Sequence, residues 1–281
     1  MLGLARCSVL PVAAVCSQQR TVHLHAFPCL TAVSSSMATW TGVNASQQEF
    51  MLKDECILVD ENDSITGHAN KHSCHQFMPG QPKGLLHRAF SVFLFDSQGR
   101  LLLQQRAKSK ITFPSVWTNT CCSHPLHGQD TAEVDHPQHL ADGSVPGIKA
   151  AAVRKLHHEL GIPPEQLPTS GFRFLTRLHY CAADTGTHGP EAPWGEHEMD
   201  YILFTQADVT MQPNPEEVDE VKYVTLQELQ AMMQPETGLL WSPWFRIIAQ
   251  RFLPTWWQDL QAALHTNKHQ DLQTIHHLDA P

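Results

Sequence analysis

Two neighbouring cysteines, Cys121 and Cys122, lie inside Thr118-Asn119-Thr120-Cys121-Cys122-Ser123-His124-Pro125. One peptide unit holds their Cα atoms about 3.8 Å apart. That is too close for ordinary disulfide geometry, so the pair is not part of a bridging framework. In extended backbone, residues two apart point to the same side. Cys122 and His124 then share one face, with Cys121 and Ser123 on the other. A thiol placed beside an imidazole suggests chemistry. Two small buried cysteines followed by a loop histidine explain the octapeptide equally well.

A second pattern, Trp194-Gly195-Glu196-His197-Glu198, narrows the choice. Glu196 and Glu198 open a strand, so both carboxylates face one side and His197 faces away. Paired carboxylates repel unless a cation or a shared proton separates them. A bound metal would satisfy both, and one could also serve as acid or base. An exposed acidic strand end is the plain alternative. Taken together, Cys122, His124, Glu196 and Glu198 form a more specific set, with His75 and His87 as further candidates. Their spacing matches no helical zinc motif. Mixed imidazole and carboxylate ligation suits Mg, Mn or Zn. Lys71, Arg88, Arg106 and Lys110 are available to bind phosphate, though each also reads as a solvated surface charge.

The remaining bounds exclude whole classes. A net charge of −9 argues against general nucleic-acid binding. No apolar stretch approaches the roughly 20 residues of a membrane span. The eight cysteines follow no regular framework, which fits reduced thiols in an intracellular compartment. Residues 1–48 hold no Asp or Glu but carry Arg6, Arg20 and a scatter of serines. This is the composition of an organelle transit peptide. A secretory signal is the rival reading, because Val9 to Val15 is apolar and follows Arg6. Met37 could serve as an internal start that leaves the protein in the cytoplasm.

From Glu49 onward, strands and helices interleave. Cys56 to Val59 reads as a strand with Asp60 to Asp63 as its turn. Leu86–Phe95 and Leu101–Gln105 flank Asp96-Ser97-Gln98-Gly99 as a hairpin. Ala150–Leu160 reads as a helix stopped by Gly161. Phe172, Phe174, Leu178 and Tyr180 alternate against Arg173, Arg177 and His179. Glu198–Phe204 is a further strand, and His136–Ser144 a polar surface loop. Thr225 to Glu228 is a capping box, and Ser242-Pro243 opens a helix through Trp244, Ile248 and Phe252. Pro254 should interrupt or kink it before Trp256-Trp257. The sum is an α/β layered domain with mixed sheets.

Ala152 to Ile162 resembles the end of a Nudix box, a helix that presents glutamates to Mg-diphosphate. Only Glu159 stands at such a position here; Lys155 and His158 occupy glutamate places, and the upstream glutamate falls at Pro146. The runs Leu85–Phe93, Leu103–Arg106, Thr118–Pro125, Trp194–Asp200, Ser242–Phe245 and Thr274–Leu278 are similar to type I isopentenyl-diphosphate delta-isomerases of the plant type, in the Nudix superfamily. The resemblance spans roughly residues 49–278. It implies a Nudix-like α/β/α sandwich over residues 49–281, with extra N- and C-terminal elements. It also implies metal-dependent interconversion of isopentenyl and dimethylallyl diphosphates for isoprenoid, including carotenoid, biosynthesis.

On that resemblance, Cys122 and Glu198 are the acid/base pair on opposite faces of the substrate. Tyr180 hydrogen-bonds the catalytic carboxylate, and the Trp244 indole faces the cationic intermediate. His75, His87, His124, Glu196 and Glu198 match the ligands of one divalent metal, Mg2+ with Zn2+ or Mn2+ as options. Glu159 matches the carboxylate of a second Mg2+ that arrives with the diphosphate. Lys71, Arg106, Lys110 and Ser123 match substrate-binding positions. The loop Gln76–Gly80 departs from the family pattern beside His87. The presequence composition predicts plastid import, with mitochondria second, and the chain is expected to act as a monomer. A Nudix hydrolase predicts more glutamates between Pro146 and Glu159 than exist. A structural Cys/His module predicts paired C-x-x-C spacings that are absent.

Overall fold

A computed structural model describes residues 47–279. The presequence expectation therefore falls, up to Ser46, outside the described residues. The chain begins with helix α1 (Gln47–Lys53), strands β1 (Glu55–Val59) and β2 (Ile65–Asn70), and helix α2 (Lys71–His75). Strands β3 (His87–Phe95), β4 (Leu101–Arg106), β5 (Trp117–Thr118) and β6 (Cys121–Ser123) follow. Helices α3 (Pro137–Asp142) and α4 (Pro146–Leu160), strand β7 (Arg173–Ala183), the single turn α5 (Thr185–His188) and strands β8 (Gly195–Gln206) and β9 (Val218–Val224) come next. The chain closes with helices α6 (Leu226–Met232), α7 (Pro243–Arg251), α8 (Leu253–Gln258) and α9 (Leu260–His265), and strand β10 (Ile275–Asp279).

The strands form one mixed sheet with the path β10-β7-β8-β3-β1-β2, while β6 pairs with β3, and β4 pairs with β3, β5 and β9. At its centre β3 and β8 run parallel, from His87 opposite Glu198 to Phe95 opposite Gln206. Every residue of β3 is buried. That is the signature of a strand covered on both faces. Phe90, Val92 and Leu94 pack toward α4 through Ile148, Ala151, Ala152, Leu156 and Leu160. Phe93 and Phe95 pack toward Phe245, Ile248, Trp256 and Trp257 of the C-terminal helices. The architecture is thus the expected α/β/α layering. Pro146 starts α4, and Gly161 at φ 63° ends it in the left-handed conformation that glycine adopts without penalty.

Three local expectations change. The Asp96 carboxylate does accept from the amides of Gln98 and Arg100 in the turn after β3. Only Phe95 and Leu101 pair across it, however, because β4 turns away to β5 and β9. In β7 a register shift between Phe174 and Arg177 reverses the alternation. Phe172 and Phe174 therefore face α4, whereas Leu178 and Tyr180 face the C-terminal helices. The segment His136–Ser144 is not only loop. Pro137 near its start and Gly143 after its end delimit the short helix α3. The interruption expected at Pro254 is present: the helix breaks at Phe252, and Pro254 sits in the first turn of α8.

Candidate active site

The site is built where α2, the starts of β3 and β8, β6 and α7 converge. Strand alternation sets its floor. Glu196, Glu198 and Asp200 lie on one side of β8 and are all buried. His197 points away, with its Nε2 3.0 Å from His179 Nε2. Glu198 is flanked in register by His87 on β3 and Tyr180 on β7. Asn70 caps α2 by accepting from the Ser73 amide, and this short helix delivers His75. His124 follows directly on β6.

The ligand atoms of His75, His87, His124, Glu196 and Glu198 all lie within 4.8 Å of one another, and all five residues are buried. Among the described residues this is the group of that kind the structure holds. Main-chain carbonyls orient two of the rings. His75 Nδ1 is 2.6 Å from Lys71 O, and His87 Nδ1 is 2.7 Å from Leu85 O. A carbonyl only accepts, so each Nδ1 carries the proton and each Nε2 turns a lone pair inward. His75 Nε2 sits 2.7 Å from Glu196 Oε2, yet neither atom makes a directed hydrogen bond, and His87 Nε2 also lacks one. Buried acceptors aimed at each other are costly unless a cation lies among them. Three imidazole nitrogens and two carboxylates therefore fit a divalent metal. The cluster is one that could bind such an ion.

The charge states agree with that reading. Burial pushes His87 down to about 3, with His75 adding to the effect, and burial likewise depresses His124. Both rings thus stay neutral and ligand-ready at neutral pH. Burial opposes ionisation of Glu196, but His75 and His87 outweigh it and hold the carboxyl down at about 2. Glu198 moves the other way, raised by burial and by its neighbours Glu196 and Asp200. One carboxyl of the pair is thus shifted toward its charged form and the other toward its protonated form.

Cys122 faces the same cavity. Its thiol donates to Asn119 Oδ1 at 2.9 Å and receives the Trp244 indole N–H at 2.9 Å. Burial, then the charge of Asp200, pushes the thiol up to about 12. Cys121 points to the opposite side, as the alternation requires, and donates to Glu159 Oε2 at 3.4 Å. The Tyr180 phenol donates to Glu198 Oε2, while His124 Nε2 is 2.9 Å from Glu198 Oε1. The cavity, about 30 Å³, is lined by Lys71, Arg106, Lys110, Cys122, Ser123, His124, Glu159, Glu196, Glu198 and Trp244. That volume is room for about two waters.

The cationic end is already organised. The Arg106 guanidinium donates to Phe113 O at 2.9 Å and Thr112 O at 2.8 Å and lies 5.6 Å over the Trp244 ring. Arg106 thus props the Thr112-Phe113 strap, and Thr112 in turn donates to Glu196 Oε1 at 3.0 Å. Lys110 pairs with Glu217. Glu159 stands apart from the five-residue cluster. Its Oε1 is 3.1 Å from Lys155 Nζ, and its Oε2 accepts from Gln104 at 3.1 Å. Lys155 and Lys110 hold Glu159 ionised against its burial. The ammonium of Lys155 thus sits against the one box glutamate that remains.

Sequence reasoning missed Asp200, Asn119, Glu217 and Gln47. Asp200 was within reach, since it continues the alternation of Glu196 and Glu198; burial raises it to about 7, and Ser91 Oγ donates to it at 2.8 Å. Glu217 and Gln47 meet only through the fold, with Gln47 Nε2 donating to Glu217 Oε1 at 3.0 Å.

A central mixed sheet between helical layers, with helix α4 ending in the box-like segment and a buried His/Glu cluster beside it, is the arrangement of a Nudix-domain protein. The NUDIX domain model matches residues 85–245. The chain is 45% identical to isopentenyl-diphosphate Delta-isomerase I, chloroplastic, of Arabidopsis thaliana, over 91% of this chain and 83% of that protein. It is 46% identical to isopentenyl-diphosphate Delta-isomerase I of Clarkia breweri, over 84% of this chain and 79% of that protein. With the isopentenyl-diphosphate delta-isomerase of Schizosaccharomyces pombe it shares 49% identity, over 80% of this chain and 91% of that protein. The chain belongs to the isopentenyl-diphosphate Delta-isomerase family of the Nudix superfamily.

Proposed function

We propose that this chain interconverts isopentenyl and dimethylallyl diphosphates by adding a proton to one end of an allylic unit and removing one from the other. The observation that carries this reading is the pairing of a largely enclosed thiol, Cys122, with the Glu198 carboxyl, which burial shifts toward its protonated form, in one cavity whose other walls include an indole and a set of cations. Such groups suit proton movement on carbon. Cys122 and Glu198 exchange protons with the substrate, Tyr180 holds Glu198 by its hydrogen bond, and Trp244 covers the cationic carbon. An indole face stabilises such a cation by roughly 0.5–2 kcal/mol while excluding water. Lys71, Arg106, Lys110 and Ser123 hold the unreactive diphosphate, whose binding energy fixes the small hydrocarbon end.

His75, His87, His124, Glu196 and Glu198 would hold a divalent cation, with Mg2+ as the first choice and Zn2+ or Mn2+ as options. When bound, the cation would offset the paired carboxylates and favour the charged form of Glu198. Glu159 is assigned to a second Mg2+ delivered with the diphosphate, which requires Lys155 to give up part of its contact. The enzyme acts as a monomer in the plastid, in keeping with relatives named chloroplastic. A reporter fused behind residues 1–50 should enter plastids; retention in the cytosol would refute the targeting. Among the described residues no helix is long and apolar enough to cross a membrane.

The direct test follows dimethylallyl diphosphate formed from isopentenyl diphosphate before and after exhaustive chelation, with re-addition of Mg2+ or Zn2+. Conversion lost on chelation and restored by metal supports the proposal. Full conversion by metal-stripped protein would remove the five-ligand site from it.

A further inference from the structure

Asn119 occupies the turn between β5 and β6 and is completely buried. Its amide nitrogen donates to Val92 O at 3.0 Å and to Cys121 O at 3.1 Å. A carboxamide has two N–H donors, and both are now spent on carbonyls that can only accept. The orientation of the group is therefore dictated, and Oδ1 must face the cavity side of the turn. There it receives the Cys122 thiol at 2.9 Å, the Trp244 indole N–H at 3.2 Å and the Thr118 hydroxyl at 3.0 Å. Thr118 Oγ1 also lies 2.8 Å from Ser242 Oγ, and the Ser242 amide donates to Trp117 O. One buried oxygen thus joins the strand that carries Cys122 to the helix that carries Trp244.

We propose that Asn119 is a positioning residue, whose locked carboxamide sets the direction of the Cys122 S–H and the tilt of the Trp244 indole against the same substrate carbon. The inference rests on the isomerase reading of Cys122 and Trp244. In the resting protein the S–H points at Asn119, and the indole N–H is shared between the sulfur and Asn119 Oδ1. A thiol without that acceptor would rotate among its staggered positions, with only the Ser91 and Thr118 hydroxyls, each 3.7 Å away, as weaker partners. The turn itself is held independently, because Thr120 Oγ1 donates to Leu102 O at 2.6 Å and accepts from the Leu94 amide at 2.9 Å. A substitution at Asn119 should thus loosen the thiol before it loosens the fold.

The test uses infrared S–H stretching, read as the difference between the parent protein and Cys122→Ser, with no substrate present. The Cys122 band should lie at the lower frequency of a hydrogen-bonded thiol, and Asn119→Ser should move it toward the unbonded position. In steady-state assays with isopentenyl diphosphate, Asn119→Ser should lower kcat by about 10²-fold, the cost of a misplaced reacting group. KM should stay within about twofold, since the diphosphate contacts are untouched. A merely structural role would instead lower the active fraction and leave kcat per folded molecule unchanged, and that result overturns the proposal. A parent Cys122 band at the unbonded frequency overturns it too, whether or not Asn119→Ser folds. Absence of turnover in the parent protein would count against the isomerase reading instead, and the infrared comparison would still decide for or against the role of Asn119.

Discussion

Tyr180 and Glu198 stand directly opposite each other on β7 and β8, and the Tyr180 phenol donates to Glu198 Oε2. His124 Nε2 lies against the other oxygen at 2.9 Å. The carboxyl that is assigned to move a proton is therefore held at both ends. Glu198→Gln should leave a folded protein without measurable turnover. Tyr180→Phe should lower kcat by about 10- to 10²-fold, the worth of one hydrogen bond to an ionisable group. Turnover by Glu198→Gln within about tenfold of the parent would remove this carboxyl from the chemistry.

The two adjacent cysteines should behave oppositely. Cys121 packs with the α4 side of the sheet and donates to Glu159, whereas Cys122 contacts Trp244 and Asn119 in the cavity. Cys122→Ala should cost about 10²–10⁴ in kcat, the usual contribution of one acid/base group. Cys121→Ala should keep most of the activity and lose about 1 kcal/mol of stability through a small cavity. Matched losses in kcat at the two positions would contradict the assignment.

The face assignments at Cys121, Cys122, Glu196, His197 and Glu198 were legible because a strand has a strict two-residue period. The same rule failed on β7. A bulge near Phe174 flips the phase, and a bulge leaves no mark in the pattern of apolar residues. Helix α3 was hidden because its few apolar residues look like loop, although Pro137 and Gly143 are its start and stop signals. The convergence of His75 and His87 on Glu196 and Glu198 rested on family resemblance alone, since the parallel β3–β8 pairing that joins them spans more than 100 residues. Contacts such as Gln47 with Glu217 have no local signal at all.

Away from the site, His179 on β7 places its Nδ1 3.0 Å from His277 Nδ1 on the C-terminal strand β10. Burial and then His277 lower the pKa of His179. In the unfolded chain His179 binds its proton near the ordinary value of about 6.5. Between that value and the lower folded one, the unfolded state holds more protons, so stability falls as pH falls. The parent Tm should drop as pH falls below about 6.5, and His179→Gln should flatten part of that slope. An identical slope in the variant would show that the His179–His277 contact contributes nothing to it.

The remaining prediction separates proton movement on carbon from attack of water on phosphorus. Nudix hydrolysis uses several glutamates on the box helix, but here Lys155 and His158 take two of those places and Lys155 lies 3.1 Å from Glu159. The cavity instead presents Cys122 and Glu198, whose acidic protons are of the exchangeable kind. In deuterated water, isopentenyl and dimethylallyl diphosphates recovered after partial conversion should carry deuterium at the carbons flanking the double bond. Inorganic phosphate and diphosphate should stay at background. Cys122→Ala should abolish uptake at the position its thiol serves, while Cys121→Ala should label like the parent. Hydrolysis leaves every carbon–hydrogen bond intact, so mass spectrometry of the recovered diphosphates distinguishes the two chemistries directly. Phosphate release without carbon labelling would make this chain a hydrolase despite its depleted box.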